Sequence, residues 1–156
     1  MKIKLLLVGK TTDESIRNIE ADYEKRIKRY TSFESVVIDN STVRNGPELI
    51  IKQKEGEMIL KKVAPGDHLI LLDERGKSYS SVAFANEVSS WMTSSKKTVV
   101  LTIGGAYGFS DEVKKRANSL VSLSAMTFSH QIVRVIMMEQ VYRAFTILNN
   151  EPYHHA

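Results

Sequence analysis

Not one of the 156 residues is a cysteine. Disulfides and thiolate-ligated metals are excluded, and a reducing compartment such as the cytosol is the expected setting. Long apolar runs are missing too. The opening MKIKLLLVGK is interrupted by Lys4 and is too short for the apolar region of a secretory signal. The most apolar stretch, Ile132–Leu148, carries Arg134, Glu139 and Arg143, charges that a membrane span would not tolerate cheaply. A cytoplasmic chain without membrane association is therefore expected. Repeats, low-complexity tracts and dividing linkers are also lacking, so residues 1–156 read as a single domain. With 42% hydrophobic and 26% charged residues the chain is not of the disordered class. Its net charge of +4 permits a polyanionic partner without requiring one.

What is present is an alternation of short β-rich runs and helical patterns. Ile3–Val8, Phe33–Ile38, His68–Asp73, Thr98–Ile103 and Leu120–Ser124 read as strands. Thr11-Thr12-Asp13-Glu14 predicts a capping box for a helix reaching Tyr30. Pro47 suits a first helical position before a helix over Leu49–Val63. Ser80–Met92, Ser110–Asn118 and Gln131–Leu148 complete the helices. Such alternation predicts an α/β fold with a largely parallel sheet covered on both faces.

Glycines cluster at one place: LTIGGAYGF, residues 101–109, followed by SDEVKKRA. The spacing of Gly104, Gly105 and Gly108 is GGxxG rather than the dinucleotide fingerprint GxGxxG. Gly76-Lys77-Ser78 is no phosphate loop, since Leu71 stands where its first glycine belongs. The cluster is either a tight strand-to-helix turn or a place where the backbone approaches a ligand. A bulky side chain at Gly104 is then expected to occupy ligand space. Ser110 is a predicted N-cap, with Asp111 and Glu112 just inside; those acids disfavour phosphate and favour a neutral or cationic ligand.

Further along, Leu123–Phe128 (LSAMTF) is uncharged and small enough to wrap an apolar ligand or to be a plain buried connection. On the last helix Glu139, Arg143 and Thr146 share one stripe, with Arg134 on the opposite, apolar side. Glu139 and Arg143 read as an exposed i,i+4 pair, whereas Arg134 needs a buried partner or a ligand. A helix apolar nearly all round suggests a two-fold dimer. The tail Asn149–Ala156 ends in Tyr153-His154-His155, which is either frayed or an aromatic and a titratable ring beside a base. Tyr23–Tyr30 (YEKRIKRY) is a basic run read as a solvated helix face, with phosphate contact as the alternative.

The order of these blocks carries more than any one of them. MKI…VGK, LLDERGK, IGGAYGF, LSLSAMTFSHQIVRVIMMEQVYRAF and a closing PYHH together resemble the ribosomal RNA large subunit methyltransferase H family. Those enzymes belong to the SPOUT class and methylate N3 of a pseudouridine in 23S rRNA of the assembled ribosome. The resemblance covers essentially the whole chain. It implies a C-terminal trefoil knot, a homodimer through the last helix, and S-adenosylmethionine as methyl donor with no metal. The donor pocket would be lined by Leu72, Gly104, Leu123, Ser124, Ala125, Met126, Thr127 and Phe128. His154, Tyr153, Arg143 and His130 would line the acceptor side, with His154 a candidate for removing the acceptor's proton. Rival readings are a related enzyme acting on tRNA and a non-enzymatic ribosome-binding protein.

Overall fold

The computed structural model describes residues 1–155. Five strands alternate with five helices: β1 (Lys2–Val8), α1 (Glu14–Ile27), β2 (Ser32–Ile38), α2 (Glu48–Lys61), β3 (His68–Ser78), α3 (Ser81–Thr93), β4 (Thr98–Ile103), α4 (Asp111–Arg116), β5 (Ser119–Ser122) and α5 (Ile132–Leu148). The sheet runs β2-β1-β4-β3-β5, and each neighbouring pair is parallel. Period-2 alternation splits the core between its faces. Ile3, Leu5, Leu7, Val99 and Leu101 pack with Phe84, Trp91, Met137 and Phe145 on one side. Leu6, Val8, Leu69, Leu71 and Val100 pack with Ile59, Phe109 and Val113 on the other. Strands buried on both faces are what near-continuous apolar runs such as LLLV and VVLTI encode.

Element boundaries depart from expectation for local reasons. The capping box does not form: Asp13 caps α1, accepting from the Ile16 amide at 3.1 Å. Thr11 is instead buried, donating to Glu20 and accepting from Arg134. α1 stops at Ile27, short of Tyr30. Pro47 is the cap residue, not the first helical one, with ψ 140° and no side-chain cap. α4 ends at Arg116 because Ala117 turns extended and Asn118 bonds Leu69, its side chain accepting from the Leu69 amide and its own amide donating to the carbonyl.

The largest departure is in β3, which runs to Ser78. After Leu72 the chain leaves the ladder for Asp73–Gly76 and rejoins it, so that Leu72 and Lys77 both oppose Val121 of β5. This four-residue bulge (residues 73–76) re-aims charged side chains at a strand end. Gly76 is the point of tightest crossing. A Cβ there would lie 2.6–2.7 Å from backbone atoms of Leu120 and Val121.

α5 is buried largely by its own chain, between α1 and α3, through Met137, Met138, Val141, Ala144 and Phe145. Much of its all-round apolarity is thus satisfied within the chain. Arg134 finds its partners at the sheet, donating to the Val8 carbonyl at 3.0 Å and to Thr11 Oγ1 at 2.8 Å. Gln131 adds a second tie, its Oε1 accepting from the Thr12 and Asp13 amides. The start of α5 is therefore pinned to the end of β1.

Candidate functional site

In a parallel sheet the C-terminal strand ends share one edge, and ligands bind there. A cavity of about 370 Å³ opens at that edge over β3, β4 and β5, walled by Leu72, Ile103 and Val121. Its volume lies in the range of small-molecule sites. The glycine turn closes one side, the Asp73–Arg75 bulge a second, and residues 123–128 with His130 and Val133 a third. Seven of the eight expected donor-pocket residues line it: Leu72, Gly104, Leu123, Ser124, Met126, Thr127 and Phe128. Ala125 belongs to the same loop but not to the wall.

The glycines act differently from the expectation at Gly104. A Cβ there would first meet the Phe109 ring, at 3.0 Å, so this glycine makes room for a core aromatic. Gly105 makes room for Glu55, whose buried Oε1 would sit 2.5 Å from an added Cβ. Gly108 is the one that suits close ligand approach. It lines the cavity, holds φ at +80° and has no atom within 4 Å of its missing side chain. Ser110 caps α4 as expected, accepting from the Val113 amide with Asp111 and Glu112 in the first turn.

The loop at 123–128 braces itself. Ser122 Oγ donates to the Ser124 carbonyl at 3.1 Å, and Ser124 Oγ accepts from the Met126 amide at 3.0 Å. Met126, Phe128 and, from the glycine turn, Tyr107 remain exposed around the mouth. The bulge adds charge. Asp73 is nearly buried and Arg75 exposed, with Arg75 Nε 3.2 Å from Asp73 Oδ1. Burial alone would push the Asp73 carboxyl up; the Arg75 guanidinium and amide, with Lys114 behind them, outweigh it and hold the group below the usual carboxylate range. Asp73, Glu74, Arg75 and Tyr107 are wall residues that sequence reasoning did not select. A signal existed for three of them: DER directly after an apolar strand and before Gly76.

A second polar cluster lies along α5. Arg143 grips Glu139 Oε1 with Nε at 3.0 Å and Nη2 at 2.6 Å. This pair is partly buried, not exposed as expected, and the Glu139 bond holds the guanidinium above its ordinary pKa. Tyr153 donates to the same Glu139 oxygen at 3.1 Å, and Tyr23 lies 3.3 Å from the Tyr153 hydroxyl. Burial first, then these two bonds, push the Tyr153 phenol well up. Arg143 Nη1 meets His154 Nδ1 at 3.1 Å, and its guanidinium stacks over the Tyr153 ring. Thr146 leaves the polar stripe: it is buried, donating to the Arg143 carbonyl at 2.7 Å.

The tail is thus docked through residue 154. Tyr30 reinforces it, donating to the Glu151 carboxylate at 2.7 and 2.8 Å. The YEKRIKRY tyrosines therefore face α5 and the tail, while Arg26 pairs with Asp22 and Lys28 with Glu24. Ala156 lies outside the described residues.

The cavity and this cluster are separate within one chain. His130 lines the cavity; Arg143, Tyr153 and His154 do not. Arg143 stands ten residues beyond Val133 on α5, about 15 Å along the helix axis. Among the described residues no group of His, Asp and Glu is arranged to hold a metal, and no helix is long and apolar enough to cross a membrane.

Residues 1–154 match the family model described as "Predicted SPOUT methyltransferase". The chain is 51% identical over 156 residues to the ribosomal RNA large subunit methyltransferase H of Flavobacterium psychrophilum, covering 99% of each chain. It is 52% identical to the protein of that name from Flavobacterium johnsoniae and 49% to that from Parabacteroides distasonis, at the same coverage. With the strand-end cavity and the LLDERGK, IGGAYGF and LSAMTF blocks around it, this similarity places the chain: it belongs to the SPOUT methyltransferases and, within them, to the ribosomal RNA large subunit methyltransferase H family.

Proposed function

We propose that this chain methylates N3 of a pseudouridine in 23S rRNA of the assembled ribosome, using S-adenosylmethionine. It acts in the cytoplasm as a homodimer formed through α5, with a trefoil knot in its C-terminal half. The observation that carries the reading is the cavity of about 370 Å³ at the strand ends, walled by the blocks that mark the family. Its chemistry fits the donor: backbone and apolar walls for a nucleoside, acids at Asp73 and Glu74 that suit a cation, and acids at the start of α4 that disfavour phosphate. The tight crossing of Gly76 over β5 supports a threaded chain. The rRNA acceptor rests on the relatives' names and on the net charge of +4.

When bound, S-adenosylmethionine supplies a methyl group already activated on a sulfonium, so the protein's own work is alignment and proton handling. Leu72, Leu123 and Gly108 hold and orient the nucleoside, and the 123–128 loop excludes water. The acceptor imide nitrogen carries a proton that must leave, and His154 takes it; such help is worth ~10²–10⁴-fold in rate. The docked tail is a resting arrangement. Arg143 can only donate, so His154 Nδ1 accepts its bond and the neutral ring carries its proton on Nε2. A ring so engaged has no free lone pair, and accepting a proton requires His154 to leave Arg143. Arg143, released, faces the acceptor's oxygens or phosphate with a charge that Glu139 keeps oriented. His130 serves the same acceptor side from the cavity wall. Since tail and cavity are apart in one chain, the tail of one protomer serves the cavity of its partner.

The test is transfer of a labelled methyl from S-adenosylmethionine to assembled ribosomes, isolated subunits and bulk tRNA, followed by mass mapping. Label on one 23S pseudouridine in assembled ribosomes is expected. Label confined to tRNA identifies a different SPOUT enzyme. No binding of S-adenosylmethionine in a calorimetric titration leaves a non-enzymatic ribosome-binding protein.

A further inference from the structure

The bulge of β3 has no role in the sheet. Leu72 and Lys77 both pair with Val121, so four residues, Asp73 to Gly76, are extruded from the ladder at the cavity wall. The excursion is built, not slack. Gly76 is locked against the Leu120–Val121 backbone, and Asp73 Oδ1 accepts from the Arg75 amide at 2.9 Å and from Arg75 Nε at 3.2 Å. The outcome is one carboxylate, 9% exposed at its side chain, and one guanidinium, 71% exposed, side by side at the cavity. Apart from Glu74, Tyr107 and His130 they are the only titratable side chains in that wall among the described residues.

A nucleoside needs no such pair, but the other end of the methyl donor does. Its amino-acid group is a zwitterion, an ammonium and a carboxylate on one carbon. A neighbouring aspartate and arginine present the complementary charges in the same small space. Resting on the proposed use of S-adenosylmethionine, we propose that Asp73 and Arg75 form the subsite for the donor's amino-acid end, Asp73 accepting from its ammonium and Arg75 donating to its carboxylate. The pair holds itself together when empty, so both charges are compensated before and after binding. Arg75 is free to swing because, among the described residues, its guanidinium has no partner other than Asp73. The bulge then sets selectivity for the whole donor over its adenosine part.

The experiment titrates wild type, Asp73→Asn, Arg75→Gln and Arg75→Lys by calorimetry with S-adenosylhomocysteine and with 5′-methylthioadenosine. Both are neutral thioethers of the same nucleoside, and only the first carries the amino-acid group, so the sulfonium charge does not enter the comparison. Wild type should prefer S-adenosylhomocysteine by about tenfold or more, the scale of charge-assisted hydrogen bonds. Arg75→Gln and Asp73→Asn should each cut that preference about tenfold while methylthioadenosine binds as before, and Arg75→Lys should restore part of it. Parallel loss of both ligands in the variants would show that the bulge only shapes the cavity, and would overturn the proposal. An unchanged preference would overturn it as well, leaving the proposed activity intact. A wild type that binds neither ligand would sink both.

Discussion

Replacing Gly76 with alanine tests the crossing on which the cavity wall depends. The added Cβ would stand 2.6 Å from the Leu120 carbonyl carbon and 2.7 Å from the Leu120 oxygen and the Val121 nitrogen. Optimal carbon–carbon separation is about 3.5–4.0 Å, so β3 and β5 must part by roughly 1 Å. No rotamer can relieve this, because all three neighbours are backbone atoms. Overpacking costs about 1–3 kcal/mol, and a backbone clash belongs at the upper end. For a chain of this size about 3 kcal/mol lowers Tm by roughly 6–12 °C. The same displacement moves Asp73 and Arg75, so affinity for S-adenosylmethionine should fall too. Gly66→Ala is the internal standard: no atom lies within 4 Å of its Cβ, and its Tm should stay at or slightly above wild type. Differential scanning calorimetry and a donor titration of both variants decide the matter. Wild-type Tm and affinity in Gly76→Ala would refute the reasoning from contact distances.

Three further outcomes are expected. Arg134→Met removes the donors that satisfy the buried Val8 carbonyl and Thr11, and should cost about 1–3 kcal/mol in chemical denaturation; a loss below ~0.5 kcal/mol would contradict its pinning role. The Tyr30 phenol is pushed up to about 12 by burial and by Glu151, so the stability it lends the docked tail is fully present below its ordinary value near 10 and is lost as pH rises through about 12. Absorbance titration at high pH should show a late-ionising phenol that Tyr30→Phe removes; no change in that variant would contradict the docking. Light scattering should give twice 17.6 kDa at micromolar concentration, against which a single-chain mass would count decisively.

The strands were legible because burial on both faces leaves unbroken apolar runs, and Leu5–Val8 or Val99–Ile103 cannot easily be anything else. Loop Leu123–Phe128 and the glycine turn were legible through the resemblance more than through spacing, which left a plain turn equally open. The β3 bulge was not legible. Asp73, Glu74 and Arg75 read as the polar end of a strand, and only pairing of Val121 with both Leu72 and Lys77 reveals that the chain leaves and returns. Thr11 misled for a related reason: its hydroxyl matches a capping box locally, but a buried arginine 123 residues away claims it. The YEKRIKRY tyrosines, similarly, carry no local mark of Glu151 or Tyr153, which arrive from the far end of the chain.

The central claim is that a working site joins the donor cavity of one chain to the tail of another. Mixed dimers test it most directly. A chain deleted from Tyr153 onward should still bind S-adenosylmethionine but fail at transfer. A Gly108→Val chain, whose added side chain would stand where the backbone meets the ligand and which calorimetry verifies not to bind the donor, should fail as well. A heterodimer of the two pairs one intact cavity with the one intact tail. Random mixing makes half the dimers hybrid with one working site in two, so roughly a quarter of wild-type methyl transfer to ribosomes should return. Purified heterodimers without activity, or a tail-deleted homodimer with full activity, would contradict the account.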